Sequence, residues 1–338
     1  MEDAEVLFST RGSLGHIVLN RPRAINALTH GMVTAVASQL ELWAADDAVQ
    51  TVVLTGAGER GLCAGGDIVA MYRDATSGDG SVADAFWRAE YAMDARIASY
   101  PKPFVAIMDG VTLGGGVGIA AHASHRVVTE RSKVGMPETT IGYIPDVGGL
   151  WLLARAPGEL GTLLALTGEP VGAADAIALG LADVFVPSAS LPELLGALET
   201  SLPDAVLATY ADTPPDASLL PQRSWIDKAF AGDDLGGIVA RLDGHDVLDV
   251  ISAKSPTALA VTLAAIRRMR SLNSLEEALA QDLRVSVHAL ASHDFAEGIR
   301  AQVIDKDRNP KWEPARIEDV PDEVVEAYFA PLQRELWA

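Results

Sequence analysis

The 338-residue sequence holds a single cysteine, Cys63, so it can form no intramolecular disulfide and no cysteine-built zinc cage. Basic residues are also scarce: 26 Lys plus Arg stand against 46 Asp plus Glu, a net charge of −20. Such a field repels polyanions and argues against nucleic acid as the main partner, although a small phosphorylated ligand needs only a local basic patch. No long unbroken apolar run is present. The most membrane-like stretch, Pro103 to Ala121, contains Asp109 and five glycines, and it reads as a buried strand followed by loop rather than a spanning helix. The opening MEDAEVLFST lacks both the basic and the apolar segment of a secretory leader and is unlike an Arg-rich transit peptide, so a cytoplasmic, reducing setting is expected. No G-x-S-x-G elbow occurs, which removes support for a serine hydrolase. His122 and His125 form an H-x-x-H without a third ligand, and His288 and His293 stand apart, so no metal site is expected. Cys63 has no histidine close in sequence and reads as a small buried hydrophobe.

What remains is a globular balance, 49% hydrophobic and 21% charged, in a chain long enough for two units. The first half alternates short apolar runs with amphipathic stretches, the pattern of strands joined by helices. Strands are predicted at His16–Leu19, Thr51–Leu54, Phe104–Ile107 and Arg126–Val128. Thr29 is placed to cap a helix with Met32, Val33, Val36, Leu40 and Trp43 on one face, and Ser81 to Ser99 reads as a helix stopped before Pro101. After Val186-Pro187 the strand signals end, and four prolines punctuate the connection to a helical remainder, in which Ser255-Pro256 marks a helix start. The expected layout is a strand-and-helix core over residues 1–190 and a mainly helical region over 191–338.

Gly56-Ala57-Gly58-Glu59-Arg60-Gly61 fits G-x-G-x-x-G after a predicted strand. A dinucleotide turn must open a helix, and Gly65-Gly66 follows too soon for that, so the segment reads as a loop. Gly65-Gly66-Asp67 and Gly114-Gly115-Gly116 are more suggestive, since each follows a buried strand and precedes a helix-compatible stretch. Two such loops can converge as an oxyanion hole, or they can be plain tight turns. Glu138 and Asp146 each follow a proline in glycine-punctuated, otherwise apolar sequence. Such surroundings desolvate a carboxylate and suit acid–base or nucleophilic work, while the competing readings are a helix cap near Val147 for Asp146 and a solvated loop for Glu138.

Together these segments resemble the crotonase (enoyl-CoA hydratase/isomerase) superfamily. The matching pieces are Asn20-Arg21-Pro22 with Asn26-Ala27-Leu28, Cys63-Ala64-Gly65-Gly66-Asp67-Ile68, Asp109-Gly110 through Gly118, Met136-Pro137-Glu138-Thr139 and Pro145-Asp146-Val147-Gly148-Gly149, in family order and at family intervals. Three features are similar to the 3-hydroxyisobutyryl-CoA hydrolase branch: Asp146 where hydratases tend to have glycine, Gly118 where they carry a first catalytic glutamate, and the run from His293 to Trp312. The resemblance implies an α/β fold, a crotonase-like spiral of ββα units with a helical C-terminal region. It implies Glu138 and Asp146 as catalytic acids, Gly66 and Gly115 as oxyanion-hole donors, and Glu90 lining the acyl pocket. It also implies Asp67 and Ile68 beside the pantetheine and adenine end of the substrate. The implied activity is hydrolysis of a short β-hydroxyacyl-CoA in valine catabolism, with coenzyme A as part of the substrate and no separate cofactor or metal. An enoyl-CoA hydratase/isomerase and a non-catalytic acyl-CoA-binding protein are the alternatives. The implied partner is the acyl-CoA itself, with neither nucleic acid nor membrane, and a homo-oligomer (a trimer or dimer of trimers) is the family habit. Arg21, Arg23, Lys306, Arg308 and Lys311 are candidate phosphate contacts or else solvated surface charge.

Overall fold

Short β-branched runs separated by turn residues become nine strands in two sheets among the described residues. The computed structural model describes residues 4–337; Met1–Asp3 of the acidic opening stretch and Ala338 lie outside them. β1 (Val6–Arg11) and β2 (Leu14–Leu19) form an antiparallel hairpin. From β2 onward every strand-to-strand pairing among the described residues is parallel. β3 (Thr51–Gly56), β5 (Phe104–Met108), β7 (His125–Val128) and β9 (Val184–Phe185) complete a six-stranded sheet of order β1-β2-β3-β5-β7-β9. β4 (Gly61–Cys63), β6 (Val111–Leu113) and β8 (Lys133–Gly135) make a second sheet. Successive pairs, β3/β4, β5/β6 and β7/β8, put one strand into each sheet and advance one place along both. This is the spiral of ββ units that the resemblance implies.

The central strands are apolar without interruption because parallel strands are covered on both faces. All five residues of β5 are buried. Val53, Val105, Ile107 and Val127 share a core cluster with Leu191, Leu194 and Leu198 of the helix Leu191–Leu198. Each such fully buried aliphatic side chain contributes about 1.5–3 kcal/mol. The helix His30–Ala45 buries Met32, Val33, Val36, Leu40 and Trp43, and the Thr29 hydroxyl accepts the Met32 N–H at its start, as the sequence predicts.

The chain divides into two compact units. The first comprises Met1–Gly66, Ala89–Gly135 and Pro170–Leu220; the second comprises Asp67–Arg88, Met136–Glu169 and Pro221–Ala338. Every strand described above belongs to the first unit. The second unit is built around the helix Pro256–Met269, whose start is fixed by Pro256 at its first position and by Ser255, which accepts the Ala258 N–H.

One expectation is overturned in the first unit. The stretch after β6 is not loop: Gly115–Ala121 is a seven-residue helix despite three glycines, and all of it is buried. Tertiary packing overrides propensity here, because a Cβ at Gly116 would stand 2.5 Å from the Cys63 carbonyl oxygen and only glycine allows that approach.

Candidate active site

In the first unit the two glycine loops meet. The Leu28 N–H donates to the Gly65 carbonyl (2.8 Å), and Leu28 pairs with Gly66 in a parallel bridge. Alternate N–H groups of a bridged segment point to opposite sides, so this turns the Gly66 N–H away from the bridge. Gly115 is the first residue of its helix, where an N–H has no intrahelical acceptor. A Cβ at Gly115 would lie 3.3 Å from the Gly66 nitrogen and 2.5 Å from Glu90 Oε1. The three residues that the sequence reading named separately, Gly66, Gly115 and Glu90, are therefore within touching distance. Gly114 (φ +53°) supplies the left-handed turn that aims the helix start. Gly118 is buried in the same helix.

Asn26 of the first family segment is a structural knot in this unit. Its amide donates to the carbonyls of Ala57, Gly61 and Leu62, and its Oδ1 accepts the Arg21 N–H. The G-x-G-x-x-G lookalike is thus loop running into β4, tied down by an asparagine, with no helix to meet a pyrophosphate. Cys63 is fully buried, and burial pushes its thiol up to about 12, which makes it inert. His125 is engaged with Ser124 Oγ (2.9 Å) and Asp204 (3.1 Å), and no metal-holding cluster of His, Cys, Asp or Glu is found among the described residues.

The second unit gathers the carboxyl groups. Glu138 opens the one-turn helix Glu138–Ile141 and is buried, not solvated. Burial first, and the charge of Asp146 second, raise its pKa well above the ordinary carboxylate range. Asp146 is equally buried and does not cap a helix: the next helix starts at Gly149 with Gly148 as its cap residue. Its carboxyl instead makes a hydrogen bond with the Tyr143 hydroxyl (3.0 Å), and Tyr143 is in turn 2.5 Å from Ser286 Oγ. Val147 sits at φ +50°, a left-handed conformation that a β-branched residue enters only under constraint. Trp87, Tyr143 and Phe295 form a buried aromatic wall, with Trp87 stacked on Tyr143 at 6.0 Å.

A third acid is absent from the sequence reading. Asp282, on the helix Leu275–Leu290, is fully buried, and its Oδ2 accepts the Gly148 N–H at 2.9 Å. Burial raises its pKa well above the usual range, with the nearby Asp146 adding to the rise against the Gly148 hydrogen bond. Its signal was an aspartate on the apolar stripe of a helix, among Ala278, Leu279, Leu283 and Ser286.

Asp67 and Ile68, half-buried, stand at the start of the helix Ile68–Ser77, also in the second unit. Of the basic candidates, Arg21 is engaged with Glu5 (3.1 Å) and the Ala27 carbonyl (2.6 Å), whereas Arg23 is exposed. Lys306, Arg308 and Lys311 are exposed on a turn that Arg300 holds through Glu297, Asp305 and Asp307. A cleft of about 1500 Å³ in the second unit is lined by Leu235, Ile251 and Leu263, with Arg267 and Arg268 among its charges. Neither Glu138 nor Asp146 lines it, and those arginines pair with Glu159 and Glu326.

A family model described as enoyl-CoA hydratase/isomerase matches residues 14–329. The chain is 38% identical to the mitochondrial 3-hydroxyisobutyryl-CoA hydrolase of Gallus gallus, over 97% of this chain and 89% of that protein. It superposes with a TM-score of 0.95 on a solved carnitinyl-CoA dehydratase from Mycobacterium thermoresistibile, at 51% identity over 99% of this chain and 98% of that one. For an enoyl-CoA hydratase from Rhodobacter sphaeroides the TM-score is 0.92, at 44% identity over 97% and 98% of the two chains. Among the described residues no helix is long and apolar enough to cross a membrane.

Proposed function

This chain belongs to the enoyl-CoA hydratase/isomerase family, and from that premise we propose that it hydrolyses a short β-hydroxyacyl-CoA thioester, 3-hydroxyisobutyryl-CoA, to 3-hydroxyisobutyrate and coenzyme A. The observation that carries the reading is the pair of buried, mutually interacting carboxyls, Glu138 and Asp146, in a chain that has Gly118 where a hydratase of this family would carry its first glutamate. Hydration of an enoyl thioester needs an acid and a base on the two reacting carbons, and a glycine supplies neither. Hydrolysis needs a polarised carbonyl, an activated water and a proton for the departing thiolate.

The roles follow residue by residue. The Gly66 and Gly115 N–H groups donate to the thioester oxygen as charge builds on it; each such donor is worth about 3–4 kcal/mol of transition-state stabilisation. Glu138 either attacks the carbonyl carbon or activates water, and burial with the neighbouring Asp146 raises its pKa above the ordinary carboxylate range. Asp146 positions the water or the substrate hydroxyl and shares protons with Glu138. Glu90 lines the acyl pocket, and Asp67 and Ile68 flank the pantetheine and adenine end. Coenzyme A enters and leaves as part of the substrate, and the residues assigned here need no separate cofactor or metal. A cytoplasmic place in valine breakdown and assembly as a trimer or dimer of trimers complete the proposal. Cell fractionation tests the first against the mitochondrial name of the relative, and light scattering tests the second.

The names of the two solved relatives favour a second reading, hydration or dehydration of an acyl-CoA. One assay separates the two. Free thiol released from 3-hydroxyisobutyryl-CoA, with no change in crotonyl-CoA absorbance, is the outcome expected of the hydrolase. Loss of crotonyl-CoA absorbance without thiol release assigns the chain to the hydratases.

A further inference from the structure

The cleft of about 1500 Å³ in the second unit is larger than the pockets of roughly 300–1,000 Å³ that usually hold a small molecule. Leu235, Val239, Ile251 and Leu263, on the helices Leu235–Arg241, Val247–Ser252 and Pro256–Met269, give it an apolar lining, and Val320 and Val325 of the C-terminal segment extend it. Most of its cations already face a carboxylate. Arg267 pairs with Glu159 and Asp233, Arg268 with Glu326, and Arg316 with Glu318 and Asp319. Lys254 is the exception. It lines the cleft at only 9% exposure, and its Nζ donates to a neutral group, the Thr140 hydroxyl, at 2.6 Å. Among the described residues it has no ion-pair partner. Burial lowers its pKa, and the more distant charge of Glu169 offsets only part of that. An ammonium has three hydrogens to give, and Thr140 takes one.

We propose that this cleft is a second binding site, for a medium-chain fatty-acid carboxylate, with the carboxylate on Lys254 and the alkyl chain along the apolar lining. A buried cation is stable when an anion stands against it, and one cation calls for one negative charge. A polyanion such as coenzyme A suits the cleft badly, because Asp233, Asp234, Glu318, Asp322 and Glu326 also line it and the whole chain carries −20. A neutral chain would cover the apolar lining and leave Lys254 without its anion, and an amine would be repelled by it. A four-carbon acid is too short to satisfy both the head and the walls. The inference stands apart from the hydrolase reading, since neither Glu138 nor Asp146 lines this cleft.

Calorimetric titration of the full chain with decanoate at pH 7.5, below its micelle concentration, tests the site. Saturable binding at one site per chain is expected, weakening by up to about fourfold for each methylene removed between decanoate and hexanoate. On the wild type, decanol and decylammonium are expected to bind at least about tenfold more weakly than decanoate. K254M keeps the apolar stem without the charge and should lose about tenfold to a hundredfold in decanoate affinity. R316A removes an exposed arginine already held by Glu318 and Asp319, and should stay within about twofold. No saturable decanoate binding overturns the proposal, as does binding of decanol or decylammonium as tight as that of decanoate. A folded K254M that binds like the wild type, or a loss in R316A as large as in K254M, removes Lys254 as the anchor and overturns it equally. Should the melting curve show K254M unfolded, the three head groups compared on the wild type decide alone.

Discussion

The two units present chemical groups by opposite means. The first offers backbone: Gly66 and Gly115 lie against one another, a Cβ at Gly115 standing 3.3 Å from the Gly66 nitrogen, and Glu90 fills the space that Cβ would need. The second offers side chains: Glu138, Asp146 and Asp282 are carboxyls taken out of water by helical packing. Backbone donors have a fixed hydrogen and no titration, so their fitness is a matter of ångströms. Buried acids are set by burial and by one another, so theirs is a matter of protons. A change in the first unit should therefore act alike at every pH, and a change in the second should act through pH.

The largest break in that contrast is expected from D146N. It removes the carboxyl but not the shape, and thiol release should fall at least about a hundredfold, with little change in the melting curve. G115A comes next. Its Cβ would meet Glu90 Oε1 at 2.5 Å, so the loop must shift, with a loss of activity of about tenfold to a hundredfold that is flat across pH. A loss that varied steeply with pH would erase the distinction between the units.

Stability sharpens the comparison with a smaller effect. Burial raises the pKa of both Glu138 and Asp282. For a raised acid the native state binds more protons than the unfolded one, so stability is full below the unfolded pKa of about 4. It falls as pH rises from there through the native value. D282N removes that penalty and keeps the acceptor for Gly148, so it should melt a few degrees higher than wild type at pH 8 and nearly level with it at pH 4. A gain independent of pH would mean that the carboxyl's charge is irrelevant. The smallest effect is that of Cys63: with its thiol pushed up to about 12 by burial, iodoacetamide should leave the native protein unlabelled and mark it only after unfolding. Labelling of the native protein at neutral pH would contradict the burial of that strand.

What was legible in the sequence follows the same division. The apolar face of His30–Ala45 and the caps at Thr29 and Ser255 are local patterns, and each appears in the structure where it was predicted. The glycine loops were legible as motifs, and the resemblance ordered them into the spiral that the two sheets display. The helix Gly115–Ala121 was misread as loop because its glycines answer to Cys63, 53 positions earlier, and not to helix propensity. Asp282 was missed for a related reason: its partner Gly148 lies 134 residues away, and no short window holds both. An aspartate on an otherwise apolar helix face was the one local clue. The burial of Glu138, which sequence left open against a solvated loop, is likewise a property of packing.

The most direct test of the account is thiol release from 3-hydroxyisobutyryl-CoA by E138Q, set beside the wild type with melting curves on the same samples. The account predicts thiol release by the wild type and a loss of at least about a thousandfold in a variant that melts no lower, because the amide keeps the shape and can neither attack the carbonyl nor take a proton from water. Turnover by folded E138Q near the wild-type rate would contradict it and remove Glu138 from the chemistry.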